Sequence, residues 1–458
     1  MVFSSVVFLC LFLPAVLLLD RVIKPVKGKN LLLTAASLLF YAYGEPVFVF
    51  VLIFTVLAHY LGGLYVLRRD RYPRILLAVL LTADILLLFC FKYAGFAVSS
   101  FNDLCGLALP VPQIRLPVGI SFFTFQIMSY AIDTYRDRQL IHKSFADLLL
   151  YISFFPQLIA GPIVRYAEIA PQLRQRSVTG DDRAAGMRRF ICGLAKKVLI
   201  ANTMAAVADT AFALEQPDCL AAWVAFFTYA LQIYYDFSGY SDMAIGIGRM
   251  LGFRLPENFN YPYAALSVTD FWRRWHISLT AWFRAYVYIP MGGNRKGRGR
   301  TYVNIFIVFL LTGIWHGASY TYILWGLYFA ALMIAERSGI LPIEKIRFLP
   351  LRRFYTIFVV CAGFVLFRAK SVSQALSMLR ACVSFGTIGN GGAILSKLTP
   401  FFLFIFIAAV VGCFPVAQKL RQRWNHRGFS YALAATLLVV CVIFLTTDSY
   451  NPFIYFNF

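Results

Sequence analysis

Two histidines stand where an ionisable side chain is hard to justify. His316 lies in TGIWHGASYTYILWG (residues 312–326), beside Trp315, in a run otherwise apolar enough to sit inside a bilayer. A titratable group there costs free energy and reads as functional by default. Imidazole changes charge near neutrality, so it can take or give a proton under ordinary conditions. Gly313, one turn earlier, and Gly317 leave room for a ligand or a neighbouring backbone. His276 lies 40 residues upstream in the same aromatic and basic part of the chain. A lone histidine among apolar residues is more often a hydrogen-bonded structural group, and both readings stay open from the residues alone. His59 falls on a plain apolar run, and His142 and His426 fall in charged loops.

Around His276 the chain reads DFWRRWHISLTAWFRAYVYIPMGGNRKGRGR (270–300), with seven Lys/Arg against one acid, Asp270. That balance suits an anion. Trp272, Trp275 and Trp282 recur at +3 and +7, and Arg273, Arg274 and Arg284 share the element. The spacing predicts an amphipathic helix at the membrane surface, its aromatic face in lipid and its basic face toward phosphate or water. GGNRKGRGR then sets Arg295, Lys296 and Arg298 among flexible glycines. The plainer alternative is a positive-inside loop that binds lipid phosphate. In DFSGYSD, Asp236, Ser238, Tyr240 and Asp242 are polar at membrane depth and either line a passage or pack helices. Familiar motifs are missing. GIGRMLG (246–252) is one residue too long for GxGxxG, and no Walker loop, HExxH or GxSxG occurs. Nine scattered cysteines without a CxxC pair indicate neither a disulfide framework nor a metal site.

The elements that must position these groups are membrane helices. The chain has 458 residues, 60% hydrophobic and 14% charged, with a mean hydropathy of +0.70. Soluble proteins carry roughly 25% charged residues, so a soluble globular class is excluded. Apolar runs at 3–19, 31–43, 47–67, 75–91, 220–235, 303–314, 401–416 and 432–445, some of them needing flanking residues to span, predict an all-α integral membrane protein. Its expected make-up is roughly ten to twelve transmembrane helices plus short re-entrant or interfacial helices. No repeat or linker divides it, so one domain over 1–458 is expected. Its functional core falls at about 116–330, where Pro, Gly and polar residues interrupt the apolar segments. The net charge of +22 clusters in loops, which implies membrane topology and contact with lipid rather than nucleic acid. The first loop and the segment 165–197 are expected on the cytoplasmic side. The N-terminus lacks a basic leader and reads as a retained first span, and the tail SYNPFIYFNF reads as an interfacial anchor.

The blocks FWRRWHISLTAWFR, YIPMGGNRKG and LTGIWHGASYTYILWG, with the opening MVFSSVVFLCLFLP and the closing YNPFIYF, closely resemble the membrane-bound O-acyltransferases, in particular their bacterial alginate O-acetyltransferase branch. The resemblance runs nearly end to end. It implies a helical fold around a central funnel, with His316 at the essential catalytic position and His276 in the same funnel. It implies acetyl-CoA from the cytosol as acyl donor, with no permanently bound cofactor. It also implies an extracytoplasmic esterase-like (SGNH) transferase partner and a polysaccharide acceptor: alginate, another exopolysaccharide or peptidoglycan. The location implied is the bacterial inner membrane. Where that branch commonly has Arg-Asp-Tyr, this chain has Arg284-Ala285-Tyr286. The chemistry suits the residues. Moving an acetyl group from a thioester to a hydroxyl needs a base and donors for the oxyanion that develops. A neutral imidazole in an apolar pocket suits the first task, and the His276 side chain and the Trp315 indole are candidates for the second. Arg273, Arg274, Arg295, Lys296 and Arg298 are candidates for the phosphates of coenzyme A. The alternatives are a D-alanyl or longer-chain acyl transferase acting on teichoic acid or lipid, and a proton-coupled transporter. The second is disfavoured by the missing repeats.

Overall fold

Apolar chain in a bilayer must satisfy its own backbone polar groups, and a helix does so within one segment. The computed structural model is accordingly helical, with no strand among its described residues. Those residues are 1–69, 74–141, 143–384, 391–416 and 427–447. His142, His426 and the aromatic tail at 449–458 lie outside them. Among the described residues, five helices are long and apolar enough to cross a membrane: Phe48–Val66, Arg74–Cys105, Gly180–Phe212, Leu349–Arg368 and Gly428–Thr447. Other apolar runs form shorter or interrupted helices, such as Leu13–Val22 and Pro400–Gly412. Such pieces are stable at membrane depth where neighbouring protein covers their ends. Large apolar side chains such as Phe50, Phe54, Ile75, Leu104 and Phe404 remain exposed, as a lipid-facing surface requires.

The chain divides into two compact units, Met1–Phe190 with Ser241–Pro256, and Ile191–Tyr240 with Glu257–Phe458. In the first, Phe3, Phe8, Phe12, Phe40 and Phe155 form one aromatic cluster. Asn30 is a polar hub beside it. Its amide donates to Asp147 Oδ1 at 2.6 Å and to the Leu173 carbonyl at 2.9 Å, and Arg176 donates to its Oδ1 at 2.5 Å. Gly186 and Gly246 let two helices touch through their backbones, since a Cβ on Gly186 would lie 2.6 Å from the Gly246 carbonyl oxygen. His59 is not a bare histidine on a plain span: its Nε2 lies 3.2 Å from the buried Asp84 carboxylate.

The second unit holds the aromatic and basic region. Its helices are labelled here α1 (Cys219–Met250, through Tyr240), α2 (Val268–Arg274), α3 (Ile277–Phe283), α4 (Gly297–His316), α5 (Tyr320–Ser338) and α6 (Leu349–Arg368). α4 and α5 form a tight antiparallel pair. A Cβ on Gly313 would lie 2.4 Å from the Tyr322 carbonyl oxygen, and one on Gly326 the same distance from that of Phe309. Gly317 faces the Tyr322 ring. Of the two uses expected for these glycines, they serve the approach of a neighbouring helix. The two aspartates of DFSGYSD are used in packing: Asp236 pairs with the buried Lys197 at 2.7 Å, and Asp242, in the first unit, pairs with Arg189 at 2.9 Å. Gly239 abuts the Gly193 backbone.

Candidate active site

The expected surface helix carrying Trp272, Trp275 and Trp282 is two short helices, α2 and α3, broken at Trp275–His276. His276 takes the left-handed conformation, φ 44°, which a residue with a Cβ adopts only at a cost. All three tryptophans are buried in protein rather than turned to lipid. Trp275 packs on Phe259, Phe271 and Phe364, and Trp272 on Phe309, Trp325 and Phe329. The +3 and +7 spacing fails because the break re-aims Trp282, and because aromatic partners from α4, α5 and α6 surround the other two.

Local sequence explains how α2 is held. Ser267 caps it by accepting from the Asp270 N–H at 3.0 Å, and Asp270 accepts from the Leu266 N–H at 3.3 Å. Asp270 also pairs with Arg274 one turn on, at 2.9 Å. The Glu336 carboxylate, from α5, takes the remaining first-turn donors: Val268 N–H at 2.8 Å, Thr269 N–H at 2.9 Å and the Thr269 hydroxyl at 2.8 Å. A carboxylate at a helix N-terminus satisfies orphan amides and complements the helix dipole. After α3, a π-helical turn at Arg284–Tyr288 leads into the glycine-rich loop. That loop is fastened to α4, where Asn304 Nδ2 donates to the Gly293 carbonyl at 3.0 Å and Arg300 donates to the Met291 carbonyl at 3.2 Å.

These elements enclose a cavity of about 810 Å³. His316, the last residue of α4, lines it, and so does His276. Both are buried. The rings of Trp315, Trp325 and Phe367 stand 5.0, 5.1 and 5.0 Å from that of His316. Phe237 meets His276 edge-on at 4.6 Å, and Trp315 lies 6.2 Å from it, between the two histidines in contact terms. His276 Nδ1 lies 3.1 Å from Asn258 Oδ1. Its Nε2 has no hydrogen-bond partner among the described residues, and the same holds for the indole Nε1 of Trp272 on the cavity wall. His276 sits in the break between two seven-residue helices, outside the spans, and burial pushes its imidazole down to about 3, so the ring is neutral at ordinary pH.

Five cations line the cavity, Arg273, Arg284, Arg295, Lys296 and Arg337, and no carboxylate does among the described lining residues. Of the residues singled out in the sequence, Arg273, Arg295 and Lys296 are therefore placed together with both histidines. Arg274 and Arg298 are not on the wall: Arg274 is engaged by Asp270, and Arg298 is exposed in the first turn of α4. Trp315 is not on the wall either, and contacts both histidines from behind. Ala285 lies off the wall, between Arg284 and Tyr288, which are on it. Arg337, Phe237 and Phe367 carried no signal in the sequence, because each reaches the site from a helix far along the chain, and Asn258 carried none because it lies in an irregular segment before α2.

Helices of membrane composition around a cavity lined by two histidines and five cations define a polytopic membrane protein. The chain belongs to the membrane-bound O-acyltransferase family, whose model matches residues 133–379. A probable alginate O-acetylase of Pseudomonas putida is 39% identical over 487 aligned residues, spanning 100% of both chains. A peptidoglycan O-acetyltransferase of Helicobacter pylori is 33% identical over 517 residues, 100% of this chain and 98% of that protein. A teichoic acid D-alanyltransferase of Bacillus subtilis is 32% identical over 280 residues, 55% of this chain and 69% of that protein. The protein is a multi-pass membrane O-acyltransferase.

Proposed function

We propose that the protein takes an acetyl group from cytosolic acetyl-CoA and passes it through the bacterial inner membrane for O-acetylation of an extracytoplasmic polysaccharide, by way of an esterase-like partner of the SGNH type. The observation that carries the donor assignment is the cavity wall: two buried histidines with five cations and, among the described lining residues, no carboxylate. Acetyl-CoA carries its negative charge on phosphates and its reactive carbonyl at the end of a long uncharged arm. Arg273, Arg284, Arg295, Lys296 and Arg337 suit the first, and the aromatic surroundings of His316 suit the second. The two acetyl-transferring relatives support an acetyl donor and a polysaccharide or peptidoglycan acceptor.

In the transfer, the acceptor hydroxyl oxygen adds to the thioester carbonyl carbon while His316 takes the hydroxyl proton. The tetrahedral oxyanion needs a donor, and the Trp272 indole N–H on the same wall is available for it. Collapse breaks the carbon–sulfur bond, and the imidazolium returns its proton to the departing thiolate. Protein in lipid nanodiscs, supplied with radiolabelled acetyl-CoA and a hydroxyl acceptor, tests this. His316→Ala is expected to lose transfer by roughly 10²–10⁴-fold while still binding coenzyme A. Transfer by His316→Ala at the wild-type rate refutes the role of His316. The Bacillus relative favours a second reading, D-alanyl transfer. Transfer from a D-alanyl thioester but not from acetyl-CoA would select it.

A further inference from the structure

Asn258 lies in no helix, and nothing in its local sequence marks it, yet its side chain is buried against His276. Its Oδ1 collects three contacts. The Ser278 backbone N–H donates to it at 3.3 Å, the Ser278 hydroxyl lies at 2.9 Å, and His276 Nδ1 lies at 3.1 Å. A backbone N–H can only donate, so the amide atom facing it must be the oxygen. The same oxygen faces His276 Nδ1, so that nitrogen must carry the ring hydrogen. In a neutral imidazole the other nitrogen then holds a lone pair. The backbone fastens the arrangement: Ile277 N–H donates to the Asn258 carbonyl at 3.0 Å, and Asn260 N–H to the Arg274 carbonyl at 3.0 Å. This clamp holds His276 in its left-handed conformation.

We infer that Asn258 is a positioning residue that sets the His276 tautomer, making Nε2 a hydrogen-bond acceptor for an N–H or O–H group of the molecule in the cavity. The inference rests on the acyl-transfer reading of the site and deepens it. It removes His276 from the candidates for oxyanion donor, because a lone pair repels an oxyanion. In a wall whose charged groups all donate, Nε2 supplies the acceptor that the amide N–H groups of a pantetheine arm or an incoming hydroxyl require. Phe237, Trp315 and Asn258 contact His276, and none of them is charged. The ionic groups that share its cavity are all cations, which oppose a second proton on the ring.

The test is spectroscopic and kinetic, on the full chain in nanodiscs. With ¹⁵N-labelled histidine, assigned by loss of the signal in His276→Gln, wild type is expected to show a pyrrole-type Nδ1 and a pyridine-type Nε2. A protonated Nε2 overturns the inference, and this measurement does not depend on which acyl donor is correct. Asn258→Leu is expected to lose that signature and to lower kcat/KM at least tenfold. Asn258→Asp keeps an acceptor at the same place, so it keeps the tautomer and rescues activity at alkaline pH. Its carboxylate favours imidazolium and raises the pKa of His276. Activity of this variant therefore falls as pH drops through the raised value, at higher pH than the acid limb of wild type, where His316 and His276 keep their own values. Full activity of a folded Asn258→Leu, or an Asn258→Asp profile identical to wild type, overturns the inference. Absence of acetyl transfer in wild type, with the tautomer as stated, overturns the donor assignment and leaves the positioning role intact.

Discussion

Replacing Arg284, Arg295 and Lys296 together by glutamine tests whether the cavity wall binds the donor's phosphates. All three side chains line the cavity and are exposed to solvent, so each contact with a phosphate is screened. An exposed charge pair contributes about 0.5 kcal/mol, within the measured range for such pairs. Three together contribute about 1.5 kcal/mol, which is about tenfold in affinity. The apparent KM for acetyl-CoA is expected to rise about tenfold in the triple variant. Turnover at saturating donor should change little, because a contact made equally in ground and transition state affects KM alone. Steady-state transfer in nanodiscs at two salt concentrations is the assay. Added salt weakens wild-type donor binding more than binding by the triple variant. Arg298→Gln is the internal control, since Arg298 belongs to the same basic loop but does not line the cavity, and its KM should match wild type. If Arg298→Gln raises KM as much as the triple variant does, the effect is diffuse loop charge and the cavity assignment is refuted.

Gly326→Leu is expected to destabilise the second unit by several kcal/mol, as a Cβ there meets the Phe309 backbone oxygen at 2.4 Å and overpacking at such a crossing is costly. Thermal unfolding in detergent measures it, and an unchanged midpoint refutes the close crossing. Glu336→Gln leaves an acceptor at the start of α2 but removes the charge that complements its dipole. It is expected to cost about 0.5–1 kcal/mol and to lower activity only modestly, whereas Glu336→Leu, which also orphans first-turn donors, lowers both further. For topology, Ser177→Cys, exposed in the segment expected to face the cytoplasm, should resist an impermeant thiol reagent on intact cells and react after lysis. Prompt labelling of intact cells reverses that topology.

Composition alone determined the solvent of this protein. A chain 14% charged and 60% hydrophobic cannot fold as a soluble domain, and in a bilayer only helices close their own hydrogen bonds in one segment. Residue type also exposed His316, because an imidazole flanked by apolar runs is visible without coordinates, and it exposed the basic glycine-rich loop. Local spacing misled over Trp272, Trp275 and Trp282. Offsets of three and seven describe a face only if one helix carries them, and the chain breaks at His276, where Asn258 from 18 positions upstream bonds both the ring and the following backbone. Tertiary structure alone decided which cations line the cavity. Arg273 and Arg274 are adjacent in sequence, yet one faces the cavity and the other is paired with Asp270. Arg337 and Phe367 come from helices far along the chain. The contacts that matter are long in sequence and short in space, between groups that no periodic pattern links. Packing of glycine-lined helices, not composition, brings them within reach.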